Sequence, residues 1–280
     1  MALPEVRRVL ERPVSEVRAL QHPEWSYSFP WLIQGTTTRG APDRPFDFAL
    51  FDTATDADVA RFHWEALRAS VGARTVVHAR QVHGAEVRWY GDAARHAGGA
   101  ESVGGGDYPG GGPPPHLADP CDGHATTERG VLLAVTIADC VPVFLVDPRR
   151  RAVAIAHAGW RGVAAGVLER ALEVLARPGS RGAPHPAPRG QDLHVHLGPA
   201  ICGSCYEVGP EVFRGLGLPA PGRPRPLDLR AVLAERAIAS GVPSTSITIS
   251  EHCTRCTDSG LFSHRGGDAA RQVGYLGLRP

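Results

Sequence analysis

The spacing of apolar positions changes period several times along the chain. Short, almost unbroken apolar runs at 131–137, 143–147 and 152–156 predict strands buried on both faces. Shorter runs at 75–79, 194–197 and 246–250 predict further strands. Between them, 56–70, 162–175, 209–214 and 228–240 carry helical patterns. In 162–175, Val163, Val167, Ala171 and Leu175 recur every four residues and make one apolar stripe. In 228–240, Leu229, Leu233 and Ile238 mark the buried side, with Asp228 as N-cap and Gly241 as C-terminal stop. Segments 98–116, 177–190 and 215–226 are rich in Gly or Pro and predict surface loop insertions, because such compositions bury little apolar surface. None of them separates two self-sufficient halves. Residues 1–280 therefore read as a single domain of mixed helices and strands, with at least one antiparallel pair.

Composition narrows the chemistry. A net charge of +1 gives no bulk electrostatic case for binding nucleic acid or an anionic membrane. No apolar run approaches the ~20 residues of a membrane span, and the first 21 residues are too polar for a signal peptide, so a cytoplasmic location is expected. All 30 basic residues are Arg. A Walker-type phosphate loop and Schiff-base chemistry both need Lys and are excluded. Recognition of an oxyanion falls to Arg, backbone amides or helix N-termini. The six cysteines, in a chain with an ample core, read as reduced thiols.

Residues 138–162 concentrate the candidate chemistry. Two apolar strands flank Asp147-Pro148-Arg149-Arg150. If the turn is centred between Pro148 and Arg149, Cys140 faces His157 across an antiparallel pair, with Cβ atoms roughly 5 Å apart on one face. That suits two ligands of one metal. Pro148 disfavours the tight two-residue hairpin turns, and a longer loop shifts the register; a shift of one residue would separate the two side chains. His157 also precedes a helix start, where Gly159 and Gly162 permit close backbone approach.

Four segments occur in a telling order: Gln81-Val82-His83-Gly84, Asp139-Cys140-Val141-Pro142, His157-Ala158-Gly159-Trp160-Arg161-Gly162 and Gly198-Pro199-Ala200-Ile201. Together with Asp122-Gly123-His124-Ala125-Thr126, His252-Cys253-Thr254 and Phe262-Ser263-His264-Arg265, they resemble the YfiH family, also called the laccase-domain or multicopper polyphenol oxidase family. The resemblance spans roughly 35–278. It implies an α+β fold of four layers, α/β/β/α, with mixed sheets, similar to a bacterial toxin deamidase. It also implies that His83, Cys140 and His157 bind zinc and are the catalytic residues, with copper as the alternative metal.

Members of that family are described as purine nucleoside phosphorylases or as peptidoglycan editing factors. The implied activity is zinc-dependent phosphorolysis of adenosine, inosine, guanosine and methylthioadenosine, with adenosine deamination. The partners are then a purine nucleoside and phosphate, and neither nucleic acid nor membrane. Three protein ligands leave an open tetrahedral position, the pattern of a catalytic rather than a structural zinc. Arg39, Arg161 and Arg265 are the candidates for phosphate. The chain departs from the family pattern at Gly40-Ala41-Pro42, at Ala49-Leu50, where Asn-Leu is usual, and at Gly266, where a second Arg is usual.

Three other readings compete. In a cysteine hydrolase, Cys140 would be the nucleophile and His157 its base. A copper polyphenol oxidase would need more His than one two-His, one-Cys set to build a trinuclear centre. A non-catalytic binding role in cell-wall quality control would need none of this chemistry. Cys202-x-x-Cys205 and Cys253-x-x-Cys256 read as structural thiols; the alternative is that the two pairs share one metal.

Overall fold

Strands with apolar residues on both faces need cover on both sides, and the fold supplies it with two stacked sheets and helices outside them. The structure is a computed structural model that describes residues 6–14, 18–41, 43–51, 56–91, 115–176 and 192–280. One seven-stranded sheet runs in spatial order β1 (Arg7–Val9), β17 (Ile247–Ser250), β14 (His194–Leu197), β12 (Val141–Asp147), β13 (Ala152–Ala158), β10 (Gly123–Thr126) and β8 (Val87–Tyr90). The other runs β2 (Arg12–Val14), β3 (Ala19–Gln21), β4 (Leu32–Thr37), β18 (Gln272–Leu278), β11 (Val131–Ile137), β7 (Thr75–Ala79) and β9 (His116–Ala118). Two ribbons are added: β5 (Gly40–Ala41) with β6 (Arg44–Pro45), and β15 (Glu207–Val208) with β16 (Arg225–Pro226). Both large sheets mix parallel and antiparallel pairs.

Alternation along the strands sorts the core into three slabs. On β12, Val141, Val143 and Leu145 face helices α3 (Trp160–Ala165), α4 (Val167–Ala176) and α6 (Leu229–Ala239). Phe144 and Val146 face the second sheet instead, beside Val153, Ile155, Leu133 and Val135. On the far side, Leu132 and Ala134 of β11 meet Trp64 and Leu67 of α2 (Ala57–Ser70). This is the four-layer α/β/β/α order. The remaining helices are α1 (Pro23–Ser28) and α5 (Pro210–Gly215). Among the described residues, no helix is long and apolar enough to cross a membrane.

The predicted elements are present, with three differences. The 162–175 pattern is two helices, because Gly166 adopts φ 88° and caps α3 before α4 begins. The stripe nevertheless continues across the break, and Val163, Val167, Ala171 and Leu175 are all buried. The β12–β13 turn is the longer one: residues 148–151 lie between Asp147 and Ala152, with Arg151 at φ 49°. Asp147 Oδ1 accepts from the Arg149 and Arg150 amides and closes that loop. Opposed residues therefore run Pro142 to His157 and Val141 to Ala158, so Cys140 does not face His157 directly. Finally, the 215–226 segment ends in β16, while 98–114 of the first predicted loop and all of 177–190 lie outside the described residues; His116 of the first loop opens β9. The Asp228 N-cap is formed, its carboxylate accepting from the Arg230 and Ala231 amides, and Gly241 at φ 90° follows the helix end.

Candidate metal centre

A two-residue change of register keeps strand parity. Cys140 and His157 consequently stay on the same face although they are not opposite one another. Cys140 lies just before β12, and His157 near the end of β13, on the face toward the second sheet. His83 arrives from the loop between β7 and β8. Ligand atoms of the three residues lie within 4.8 Å of one another. The two imidazoles meet edge to face, with ring centroids 4.8 Å apart. Gly159 makes room for this: a Cβ there would sit 2.8 Å from His83 Cδ2 and 3.0 Å from Cys140 Sγ. Gly162 likewise admits the His83 loop, since its Cβ would come 3.0 Å from the Gly84 carbonyl.

Asp122 organises the cluster, and sequence reasoning did not single it out. It is fully buried at the head of β10. Its Oδ1 accepts from the His83 amide at 2.9 Å and lies 3.0 Å from His157 Nδ1. Its Oδ2 accepts from the Gly84 amide at 2.7 Å and the Val82 amide at 3.2 Å. One carboxylate thus holds the His83 loop and orients the His157 ring. With Nδ1–H donated to Asp122, the Nε2 lone pair is left for the cluster. Burial raises the Asp122 carboxyl, but the His157 hydrogen bond and the Gly84 and Val82 amides hold it below the usual carboxylate range. The only sequence signal for Asp122 was its place in the Asp122–Thr126 segment.

Two non-glycine residues at the cluster are in the left-handed region, His83 itself at φ 58° and Asp139 at φ 87°. Each is pinned. Asp122 takes the amide of His83 and those on either side of it. Asp139 Oδ1 accepts from the Thr254 hydroxyl at 2.6 Å, Oδ2 from the Arg265 amide at 2.7 Å, and its carbonyl from the Ile201 amide at 3.0 Å. Gln81 fastens the His83 loop to the second sheet, donating to the Thr136 carbonyl at 2.8 Å and accepting from the Thr136 amide at 2.7 Å.

The electrostatics favour a thiolate. Burial works against ionising Cys140, but the His157 and His83 imidazoles, through charge and hydrogen bonds, bring it down to about 6. Burial also works against the His157 cation, yet Cys140 and Asp122 raise it to about 9. The donor set of two imidazole nitrogens and one thiolate, with a carboxylate behind one imidazole, fits zinc with one position open. His83, Cys140 and His157 border a pocket of about 360 Å³ whose wall includes Phe51, Arg80, Thr136, His264 and Arg271. That is the scale of a small-molecule site.

The predicted arginines are dispersed. Arg39 donates to the Leu261 carbonyl and to Asp268 Oδ2, both at 2.8 Å, and lies 5.0 Å from the Phe262 ring centroid. Arg161 covers Trp160 at 4.5 Å. Arg265 covers Tyr206 at 5.0 Å and donates to the Glu207 carbonyl. Burial pushes the Tyr206 hydroxyl up to about 12; the Cys140 charge adds to that, and Arg265 and Arg161 oppose it. Arg265 and Arg161 thus cover different rings, Tyr206 and Trp160, while Arg80 and Arg271 stand on the pocket wall itself.

A family model described as "Multi-copper polyphenol oxidoreductase laccase" matches residues 37–279. The "Purine nucleoside phosphorylase YlmD" of Geobacillus stearothermophilus is 38% identical over 172 residues, which are 56% of this chain and 60% of that protein. "Adenosine deaminase RL5", from an unknown prokaryotic organism, is 34% identical over 156 residues, 51% of this chain and 56% of its own length. The chain thus spans less than two thirds of each of these relatives. The crystal structure of YlmD from Geobacillus stearothermophilus superposes with a TM-score of 0.78 at 27% identity, covering 97% of this chain and all of that one (100%).

Proposed function

Since the chain belongs to the family described as multi-copper polyphenol oxidoreductase laccase, we propose that it is a zinc-dependent purine nucleoside phosphorylase that also deaminates adenosine. The observation that carries this reading is the open donor set, His83, Cys140 and His157, at the edge of a pocket of nucleoside scale. Relatives named for nucleoside phosphorolysis and adenosine deamination support the substrate class. One two-His, one-Cys set does not supply the several His of a multicopper centre.

When bound, zinc supplies a Lewis acid at its open position. The chain's own residues do the rest. Asp122 fixes the His157 ring and the His83 backbone, so the donors are preorganised. Phe51 and His264 offer aromatic surface against which a purine would lie. Arg161, over Trp160, and Arg265, over Tyr206, are assigned to phosphate; Arg39, engaged by Asp268, is assigned to holding the 261–268 wall. In phosphorolysis, a phosphate oxygen bonds to C1′ of the ribose as the bond to the purine nitrogen breaks. The electron pair and a proton end on the departing base. In deamination, water adds at C6 and ammonia leaves.

The zinc-loaded protein, given adenosine and phosphate, should release adenine and ribose 1-phosphate, and inosine from the deaminase reaction. Product analysis by chromatography decides this. Absence of turnover with adenosine, inosine, guanosine and methylthioadenosine would sink the reading.

A second reading has its own observation. Asp122, His157 and Cys140 form an acid–base–nucleophile line with a lowered thiol, as a cysteine hydrolase requires. It predicts that Cys140 is alkylated without prior removal of metal. Protection of Cys140 until a chelator is added would exclude it.

A further inference from the structure

Outside the site already described, a second cluster of metal-ligating side chains is present. Cys202 and Cys205 follow β14, and Cys253 and Cys256 follow β17, the parallel neighbour of β14 in the first sheet. The four Sγ atoms lie within 4.8 Å of one another, and all four thiols are free of disulfides. Four sulfurs at ~2.3 Å from a tetrahedral zinc are separated by ~3.8 Å. Cys202 Sγ and Cys256 Sγ are 3.7 Å apart.

The surrounding backbone is shaped around one sulfur. The amides of Cys202, Arg255 and Cys256 converge on Cys253 Sγ at 3.3, 3.4 and 3.5 Å. Donors from both loops thus point at one buried sulfur. Each C-x-x-C is a tight turn: the Cys205 amide donates to the Cys202 carbonyl at 3.0 Å, and the Cys253 amide and carbonyl both bond the Thr257 hydroxyl. The two turns are held side by side by a parallel bridge between Ala200 and Cys253, with the Thr254 amide donating to the Ala200 carbonyl. Four sulfurs this close have the spacing of ligands around one ion. As ligands they complete a closed S₄ set with no open position, the structural pattern.

We propose that Cys202, Cys205, Cys253 and Cys256 bind a second, structural zinc ion that fastens the loop after β14 to the loop after β17. Its place in the fold explains what it would serve. Ile201, next to Cys202, donates its amide to the Asp139 carbonyl, and Thr254, next to Cys253, donates its hydroxyl to the Asp139 carboxylate. Both turns therefore grip the left-handed residue that precedes Cys140. Tyr206 and Arg265, which stack on one another, continue from the same two loops. The four cysteines are positioning residues and touch no substrate.

The test is metal counting on the full chain, and it does not depend on which substrate the enzyme uses. Elemental analysis of the wild-type protein should find two zinc per chain. The double variant His83→Ala/His157→Ala should keep one, and Cys202→Ser or Cys256→Ser should also keep one. Where a cysteine variant does not fold, the double histidine variant loaded with cobalt serves instead: a thiolate-to-cobalt charge-transfer band is expected, with the four thiols protected from a thiol reagent. A double histidine variant with no zinc and freely reactive thiols overturns the proposal. So does an intact mass showing these cysteines joined as disulfides, or iron in place of zinc.

Discussion

The two clusters of metal-ligating side chains are built in opposite ways. His83, Cys140 and His157 are delivered by one loop and two strand ends, braced by a buried carboxylate, and they border a pocket. Cys202, Cys205, Cys253 and Cys256 are delivered by two short turns joined by a single bridge, and their four sulfurs face one another. A mixed, three-donor set leaves a position for substrate, and a four-sulfur set leaves none. The first cluster is costly to hold, with two left-handed non-glycine residues and a glycine that no side chain could replace without contact. The second relies on ordinary turns. Of the left-handed non-glycine residues, His83 and Asp139 stand at the first cluster, and the turns that carry the second cluster bond Asp139.

This contrast can be broken most severely at the open set. Cys140→Ala or His157→Ala should lower phosphorolysis on the order of 10³-fold or more, with loss of one zinc and unchanged far-UV circular dichroism. A variant that kept its turnover would move the chemistry elsewhere. Asp122→Asn keeps the shape but weakens the grip on His157 and on three amides. Zinc affinity at the open set should fall roughly 10–100-fold in chelator competition, while the tetrathiolate ion is unaffected; equal loss at both would show that they are one unit. Gly159→Ala forces a methyl against His83 and Cys140. It should cost about 1–3 kcal/mol in urea denaturation and weaken the open set alone. Cys256→Ser should lower the thermal midpoint through loss of the fastening between loops, with a smaller effect on turnover below that temperature than any variant above.

A last effect concerns the scaffold and not either cluster. Burial holds His22 neutral down to about 3 and His78 down to about 4. In the unfolded chain both take up protons near pH ~6.5, so between that value and the folded ones the unfolded state binds more protons. Stability from these residues is complete above about pH 6.5 and declines as the pH falls toward the folded values. Denaturation midpoints that stay level from about pH 7 to pH 5 would contradict this assignment.

The central strands and the capped helices were legible because their signals are local. The nearly unbroken apolar run of β11 and the Asp228 cap need no distant partner to be recognised. β18 was not legible, although all seven of its residues are buried between β4 and β11. It contains Gly274 and Gly277, poor strand formers that are required here by close approach: a Cβ at Gly277 would lie 2.5 Å from the Val131 carbonyl. β10 was missed for a related reason, being a strand of only four residues with Gly123 at its head, and with it went the role of Asp122. At the site, the nearness of Cys140 and His157 on paired strands could be read, but the turn length that sets their offset, and with it their common face, could not. His83 was reached through resemblance alone.

By itself the sequence determined the residue types available to the chemistry, the exclusion of lysine mechanisms, and the apolar runs that become the central strands. These follow from composition and from backbone geometry within a few residues. Only the tertiary structure decided that the turn leaves Cys140 and His157 on one face, that Asp122 stands behind His157, that Arg265, Arg161 and Arg39 go to Tyr206, Trp160 and Asp268, and that two separate C-x-x-C turns meet. Those facts depend on sheet order and on β14 lying beside β17. Contacts between segments as far apart in sequence as Cys202 and Cys253 are fixed by packing of the whole core and leave no local mark.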